Sequence, residues 1–275
     1  MRKLLILVII LTSIGVTGFR ERTNASFISE INSDFVKVKD NLYFSKYETS
    51  NKDYKLFLNS LLEAKNKVEY NINLLDTAKW EGDEGTNKPW VVYYHSNPSF
   101  DKYPVVTVKY ESALNYCLWL TEKYNAEPSR KFKKVLFRLP TESEWIYAAT
   151  AGKPERSYSW DGNQMRNKKG QYLANIKRIN EANISFDPST KNYKVVLTEQ
   201  EKRVAILAEK QSFYANEFGL YNMIGNAAEM IQEQGRAKGG SYNDPGYDVR
   251  VQNNKKFSQA SPEIGFRVVM EVLEN

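Results

Sequence analysis

One cysteine, Cys117, and one histidine, His95, are all that 275 residues contain. A lone cysteine closes no disulfide within the chain, and structural zinc, which takes four Cys or His ligands, is excluded with it. Beyond residue 20 no apolar run approaches the roughly 20 residues of a membrane-spanning helix. No repeat with a period of roughly 20–50 residues is visible and no low-complexity block divides the sequence, so one domain is expected. A strong charge of one sign is lacking as well: Lys and Arg number 39 against 33 Asp and Glu, a net +6, spread along the chain. Scattered cations describe a solvated surface. No nucleic-acid partner is expected, and contact with an anionic envelope surface or an acidic partner is the alternative. What the chain has in plenty is tyrosine, which suits both a packed core and a contact surface.

The first residues read MRKLLILVIILTSIGVTGF. Arg2 and Lys3 precede an unbroken apolar run from Leu4 to Leu11, and Val16-Thr17-Gly18 places small residues at a cleavage point. That pattern is a secretory signal peptide over residues 1–18, with an uncleaved N-terminal anchor as the alternative. No cysteine follows the run, so a cysteine-linked lipid anchor is not expected. An exported protein follows, periplasmic or associated with the outer membrane. Residues 19–40 read as a polar lead-in and 41–275 as the folded domain.

Along that domain, Ser50 and Asp53 stand before Tyr54, Phe57, Leu58, Leu61 and Leu62, helical spacing behind a serine cap. Residues 104–108, Pro-Val-Val-Thr-Val, predict a strand. From Glu111 to Tyr124 a second helix places Ala113, Cys117, Leu120 and Tyr124 on one face, which makes Cys117 a buried, inert thiol. Thr141 and Glu144 form a capping box ahead of Trp145, and Gly152 ends that third helix. Residues 160–215 are rich in asparagine and read as irregular, with helix propensity over 198–213. Short strands are expected near 237–242 and 265–271. Short helices and strands with long connections give an α+β fold low in regular secondary structure.

Five ordered blocks carry a resemblance. Residues 137–145 (FRLPTESEW), 218–223 (FGLYNM), Gly225-Asn226-Ala227, Gly239-Gly240-Ser241 and Gly265-Phe266-Arg267 resemble the signature blocks of the formylglycine-generating, or sulfatase-modifying factor, family. The resemblance runs from about Leu42 to Val269. It implies that family's compact α+β fold, a variant of the C-type-lectin fold. Residues 76–80 (DTAKW), 98–106 (PSFDKYPVV) and 166–175 (RNKKGQYLAN) are similar to the gliding-motility lipoproteins of the type IX secretion machinery of Bacteroidetes. Those proteins carry the domain without known catalysis and are lipidated on a cysteine that this chain lacks.

The family's enzymes oxidise a client cysteine to formylglycine and hold copper(I) between two cysteines just after Gly-Gly-Ser. Soft thiolates suit copper(I), and hard oxygens do not replace them. Counted from Ser241 without gaps, those positions are Asp244 and Val249, so Ser241, Asp244 and Val249 mark a vestigial active site and copper is not expected. A sulfur–carbon bond-forming branch with histidine-held iron is excluded by the single histidine. Acid–base work by Tyr242, Asp244 and Asp248 is weighed against their capping of backbone donors. The resemblance also implies calcium: Asn222, Gly225, Ala227 and Glu229 match one family site, and Asn175-Ile176 begins a second. Hard oxygens of this mixed kind suit calcium, which would then raise the melting temperature. Arg138 and Arg267 are expected to tie loops together, Trp145 and Trp160 to pack, and His95 to lie in a loop without a metal partner.

Three functions compete. The first is a non-catalytic exported scaffold in an envelope secretion or motility assembly, with protein partners there and peripheral membrane association as an extension. The second is a sulfatase-modifying oxidoreductase or a hydrolase on the same scaffold. The third is a carbohydrate- or peptide-binding module, by analogy of fold.

Overall fold

Two four-stranded sheets and a layer of helices meet in the first of three core clusters in the computed structural model, which describes residues 24–81, 88–179, 181–196 and 206–275. The first sheet has the order β1 (Phe35–Lys39), β2 (Leu42–Ser45), β10 (Val269–Glu274), β3 (Lys134–Arg138), all antiparallel. The second has the order β8 (Lys255–Lys256), β7 (Arg236–Lys238), β6 (Ala228–Met230), β9 (Ile264–Phe266), with β6 and β9 parallel. Strands β9 and β10 are separated by two residues, one of them Arg267, so this side chain sits where the two sheets meet. A separate hairpin joins β4 (Ile184–Asp187) to β5 (Asn192–Val195).

The helices follow from their apolar spacing and caps. In α2 (Asn51–Glu63) Ser50 and Asp53 close a capping box, and Tyr54 and Phe57 are buried. Helix α5 (Tyr110–Ala126) buries Ala113, Tyr116, Cys117, Leu120 and Tyr124 along one stripe. It stops before Glu127, which is extended because Pro128 disfavours helical geometry in the residue before it. The rings of Tyr54, Phe57, Tyr116, Trp119 and Phe266 interlock between α2, α5 and β9 with centroids 5.4–6.4 Å apart. In α6 (Glu142–Ala149) Thr141 caps and Glu144 closes the box, placing Trp145 in the second core cluster with no exposed surface. Glu144 also receives Arg138 in bidentate fashion, both contacts 2.7 Å, while Arg138 Nε reaches Glu271 at 3.0 Å. One guanidinium thereby links β3, α6 and β10, the loop-tying role expected of it. The remaining helices are α1 (Asn24–Asp34), α3 (Lys67–Ile72) and α4 (Lys88–Tyr93).

Several expectations are revised. Residues 104–108 form no strand: Pro104 makes a single bridge to Ser50, and Thr107 turns left-handed at φ 57°. That turn sends Val105 and Val108 into one core cluster and Val106 into another, which a regular strand could not do. The described part of the lead-in, residues 24–40, is integral to the fold, because α1 packs Phe27 against Trp119 and β1 pairs with β2. Of the helical reading over 198–213, residues 206–213 form turns and irregular chain, and the earlier part lies outside the described residues. The signal segment, 1–18, lies outside them too, and no helix among the described residues is long and apolar enough to cross a membrane.

The capping box at α6 yields a direct test. Thr141→Ala leaves a backbone donor of the first turn without its side-chain acceptor and is expected to cost about 1 kcal/mol. Urea unfolding reads this as a lower midpoint with an unchanged slope.

Candidate functional site

The segment from Gly219 to Asp244 forms the centre of the molecule because its backbone turns left-handed where only small or amide residues tolerate it. Asn222, Gly225 and Asn226 have φ of 52°, 75° and 62°. A Cβ on Gly225 would collide with the carbonyl oxygen of Asn175, and the amide of Asn226 donates to that same oxygen at 2.8 Å. The two segments that separately matched ion sites are therefore packed against each other. Ile176 is buried beside them in the second core cluster.

Two buried carboxylates organise this centre. Glu229 receives Trp145 Nε1 at 2.7 Å, Arg267 Nε at 3.0 Å on both oxygens, and Arg267 Nη2 at 2.6 Å. Arg267 completes its set with the carbonyls of Ser45 and Tyr221 at 2.9 and 2.7 Å. Glu48 lies nearby, fully buried, and every partner it has here is a donor. Asn222 Nδ2 gives to it at 3.0 Å, Asn226 Nδ2 at 2.8 and 3.1 Å, and the amide of Ala227 at 3.0 Å. The other end of Asn226 accepts from Asn175 Nδ2 at 3.0 Å and the amide of Ala208 at 2.7 Å. Burial first, and then the charge of Glu229, push the Glu48 carboxyl up to about 8 against the opposing pull of Arg267 and the amide donors.

Calcium does not fit this arrangement. Each oxygen of Glu229 already accepts two hydrogen bonds, the full complement of an ionised carboxylate. Arg267 supplies the positive charge that a cation would supply, and Asn222 turns its NH2 toward Glu48. Asn175 spends its amide on Ile206 and Asn226. Calcium seeks six to eight free oxygens, and here both oxygens of Glu229 and the amide NH2 groups of Asn222 and Asn175 are engaged by protein groups, while Gly225, Ala227 and Ile176 offer main-chain carbonyls alone. Among the described residues, no group of three or more His, Cys, Asp or Glu side chains is gathered to hold a metal.

An ion pair fills the position after Gly-Gly-Ser. Asp244 takes the amide and hydroxyl of Ser241 at 2.8 and 2.7 Å and pairs with Lys255 at 2.5 Å. Lys255 also pairs with Glu263 at 2.5 Å, and Glu263 receives Asn243 Nδ2 at 2.7 Å. Val249 is fully buried against Gly240, where any Cβ would strike its side chain. Asp248 is exposed and belongs to neither cluster, and burial pushes the Tyr242 phenol up, so these two form no acid–base pair with Asp244. The residues do not fit copper(I): the one thiol, Cys117, is in the α5 core, and burial pushes its ionisation far up. His95 lies in the turn after α4, half-buried. Its Nδ1 lies 2.8 Å from Asn51 Oδ1 and its Nε2 3.2 Å from Thr107 Oγ1, and burial lowers its pKa to about 3.

Glu48, Asn226, Lys255 and Glu263 were not singled out from sequence. Asn226 carried a signal, an amide between two small residues in a turn. Glu48 carried none, for a glutamate just ahead of a helix cap reads as solvated until the fold buries it.

A sequence profile of the sulfatase-modifying factor enzyme 1-like domain matches residues 15–272, and the chain belongs to that family. The formylglycine-generating enzyme of Mus musculus is 27% identical over 220 residues, covering 70% of this chain and 49% of the mouse protein. The chaperone protein LppX of Paenibacillus barcinonensis is 25% identical over 177 residues, covering 54% of this chain and 60% of that protein. The chain thus spans about half the length of the mouse enzyme it matches. Among solved structures, PvdO from Pseudomonas aeruginosa superposes with a TM-score of 0.52 at 19% identity over 84% of this chain and 80% of that one. The Treponema denticola variable protein 1 does so with a TM-score of 0.51 at 15% identity over 86% and 91%. At these identities the likeness establishes the fold, which is α+β of the formylglycine-generating-enzyme type.

Two measurements follow. Glu48 holds its proton more tightly in the folded state than in the unfolded chain, so its contribution is full below about pH 4.5 and is lost as pH rises through about 8. His95 is neutral in both states above its ordinary 6.5, leaving Glu48 as the one of the two that titrates between pH 6.5 and 8. Urea midpoints are expected to fall across that window, and Glu48→Gln to flatten the slope whatever it does to the absolute midpoint. Thermal melts with calcium and with chelator are expected to coincide. A rise with calcium would mean that Arg267 yields Glu229 to the ion.

Proposed function

We propose that this chain is a non-catalytic, exported member of its family that acts by contact, as a scaffold in an envelope secretion or gliding-motility assembly. The observation that carries this reading is the Lys255–Asp244 ion pair standing where the family's enzymes need a thiolate, with the second position, Val249, sealed in the core. Converting a cysteine to an aldehyde by the family's route needs two soft ligands for copper(I) at that point. This chain offers there a carboxylate neutralised by lysine and an isopropyl group, and its single thiol is elsewhere. The basic and apolar N-terminal run supports export, and similarity in residues 76–80, 98–106 and 166–175 to gliding-motility proteins supports the assembly. A relative described as a chaperone accords with a domain that works by touching other proteins. Partners are expected to be proteins of the envelope, with peripheral membrane association secondary to them.

Oxidoreductase activity is the alternative, and one assay separates the two. Incubation of the purified chain with copper(I), oxygen and a cysteine peptide bearing a sulfatase motif is expected to leave the thiol intact by mass spectrometry. Cross-linking in the native envelope is expected to trap the chain in a complex of higher mass. Aldehyde formation, or a chain found solely as a free monomer, would overturn the proposal.

A further inference from the structure

Beside the reworked position lies a cleft of about 870 Å³, walled by residues 163–166, Tyr172, residues 176–179 and Pro245-Gly246. It contains Arg166, Lys177 and Arg178. The guanidinium carbons of Arg166 and Arg178 both lie over the ring of Tyr172, at 4.4 and 4.8 Å from its centroid, and Arg166 Nη2 donates to the Tyr172 hydroxyl at 2.7 Å. Arg138, Arg156, Arg236 and Arg267 each face a carboxylate. Among the described residues, no carboxylate pairs with the three cations of this cleft. Holding two guanidinium groups on one ring works against their mutual repulsion, and stacking at an exposed site contributes only about 0.5–1 kcal/mol. A concave wall that gathers cations without internal anions focuses a positive potential outward.

We propose that this cleft is the docking surface for an acidic segment of a partner protein, bound in extended form. The inference rests on the contact reading above and names the chemistry of the partner. Guanidinium forks match carboxylates in bidentate geometry. Met165, Ile179 and Pro245 add an apolar wall that a phosphate or a simple anion would leave unused. A peptide satisfies both, since an extended chain turns successive side chains to opposite sides. The wall is also tied to the segment after Gly-Gly-Ser: the amide of Lys177 donates to the main-chain carbonyl of Asp244 at 2.9 Å, which fixes the backbone that carries the cations.

The test is fluorescence anisotropy of the full chain with a labelled dodecapeptide repeating Asp-Leu. Arg166→Gln with Arg178→Gln is expected to weaken binding by at least ~10-fold, consistent with the loss of two charge-assisted contacts. Lys168→Gln with Lys169→Gln removes equal charge from the adjoining exposed turn and is expected to change binding by less than ~2-fold, as for screened surface charge. Matching circular dichroism melts establish that both variants fold. Equal losses in the two variants would reduce the effect to bulk charge and overturn the proposal. So would failure to bind the peptide combined with sedimentation on phosphatidylglycerol vesicles that the arginine variant loses, which would assign the cleft to a lipid surface. Loss of the cleft assignment with cross-linked envelope complexes intact would leave the contact reading standing, whereas aldehyde formation would end that reading by itself.

Discussion

The buried pair of Glu229 and Arg267 is the constraint around which the rest is arranged. Its side chains have almost no exposed surface, and its members come from different strands of the second sheet and its exit. Through the carbonyls of Ser45 and Tyr221 and the indole of Trp145, one guanidinium and one carboxylate hold β2, the central turn, α6 and β6 in register. A buried ion pair adds little net stability over an apolar replacement, because desolvation offsets attraction. Its effect here is on uniqueness: with both carboxylate oxygens and all three guanidinium nitrogens engaged, other packings of these four elements would strand a charge. Neighbouring Glu48 extends the same logic, drawing the two asparagines of the central turn inward.

That closed network bears on what the domain can do. The family's scaffold presents a turn rich in oxygens and a strand end suited to thiolates. In this chain the first is locked by Arg267 and the second by Lys255. At each of these places a cationic side chain of the protein pairs with the carboxylate. Chemical variety is displaced to the surface, where the arginine-lined cleft beside Asp244 and the hairpin of β4 and β5 lie among irregular segments.

Much of the fold was legible because it rests on local rules. The serine cap of α2, the capping box of α6 and the stripe of α5 carrying Cys117 follow from spacing over a few residues, the strand expected over 265–271 is divided at Arg267 between the two sheets, and the ordered blocks around Trp145, Asn222 and Gly239 identify the family. The strand expected at 104–108 failed because Thr107 reverses the chain between two core clusters, a demand set by distant residues. The candidate ion site shows the same dependence on distant residues. Asn222 and Glu229 have the residue types of cation ligands, and nothing near them in sequence announces that Arg267, 38 positions on, takes the carboxylate.

By itself the sequence determined which family it resembles and how little sulfur and imidazole it offers: one thiol cannot make a pair of cysteine ligands, and glycine and asparagine at the central turn prescribe a left-handed backbone. Only the tertiary structure decided the partners of its buried charges. Burial turns Glu48 from a surface group into a proton-holding one, pairs Glu229 with Arg267 and Asp244 with Lys255, and leaves Arg166 and Arg178 together without an anion among the described residues. Electrostatic pairing depends on distance and desolvation in three dimensions, and neither is a function of spacing along the chain.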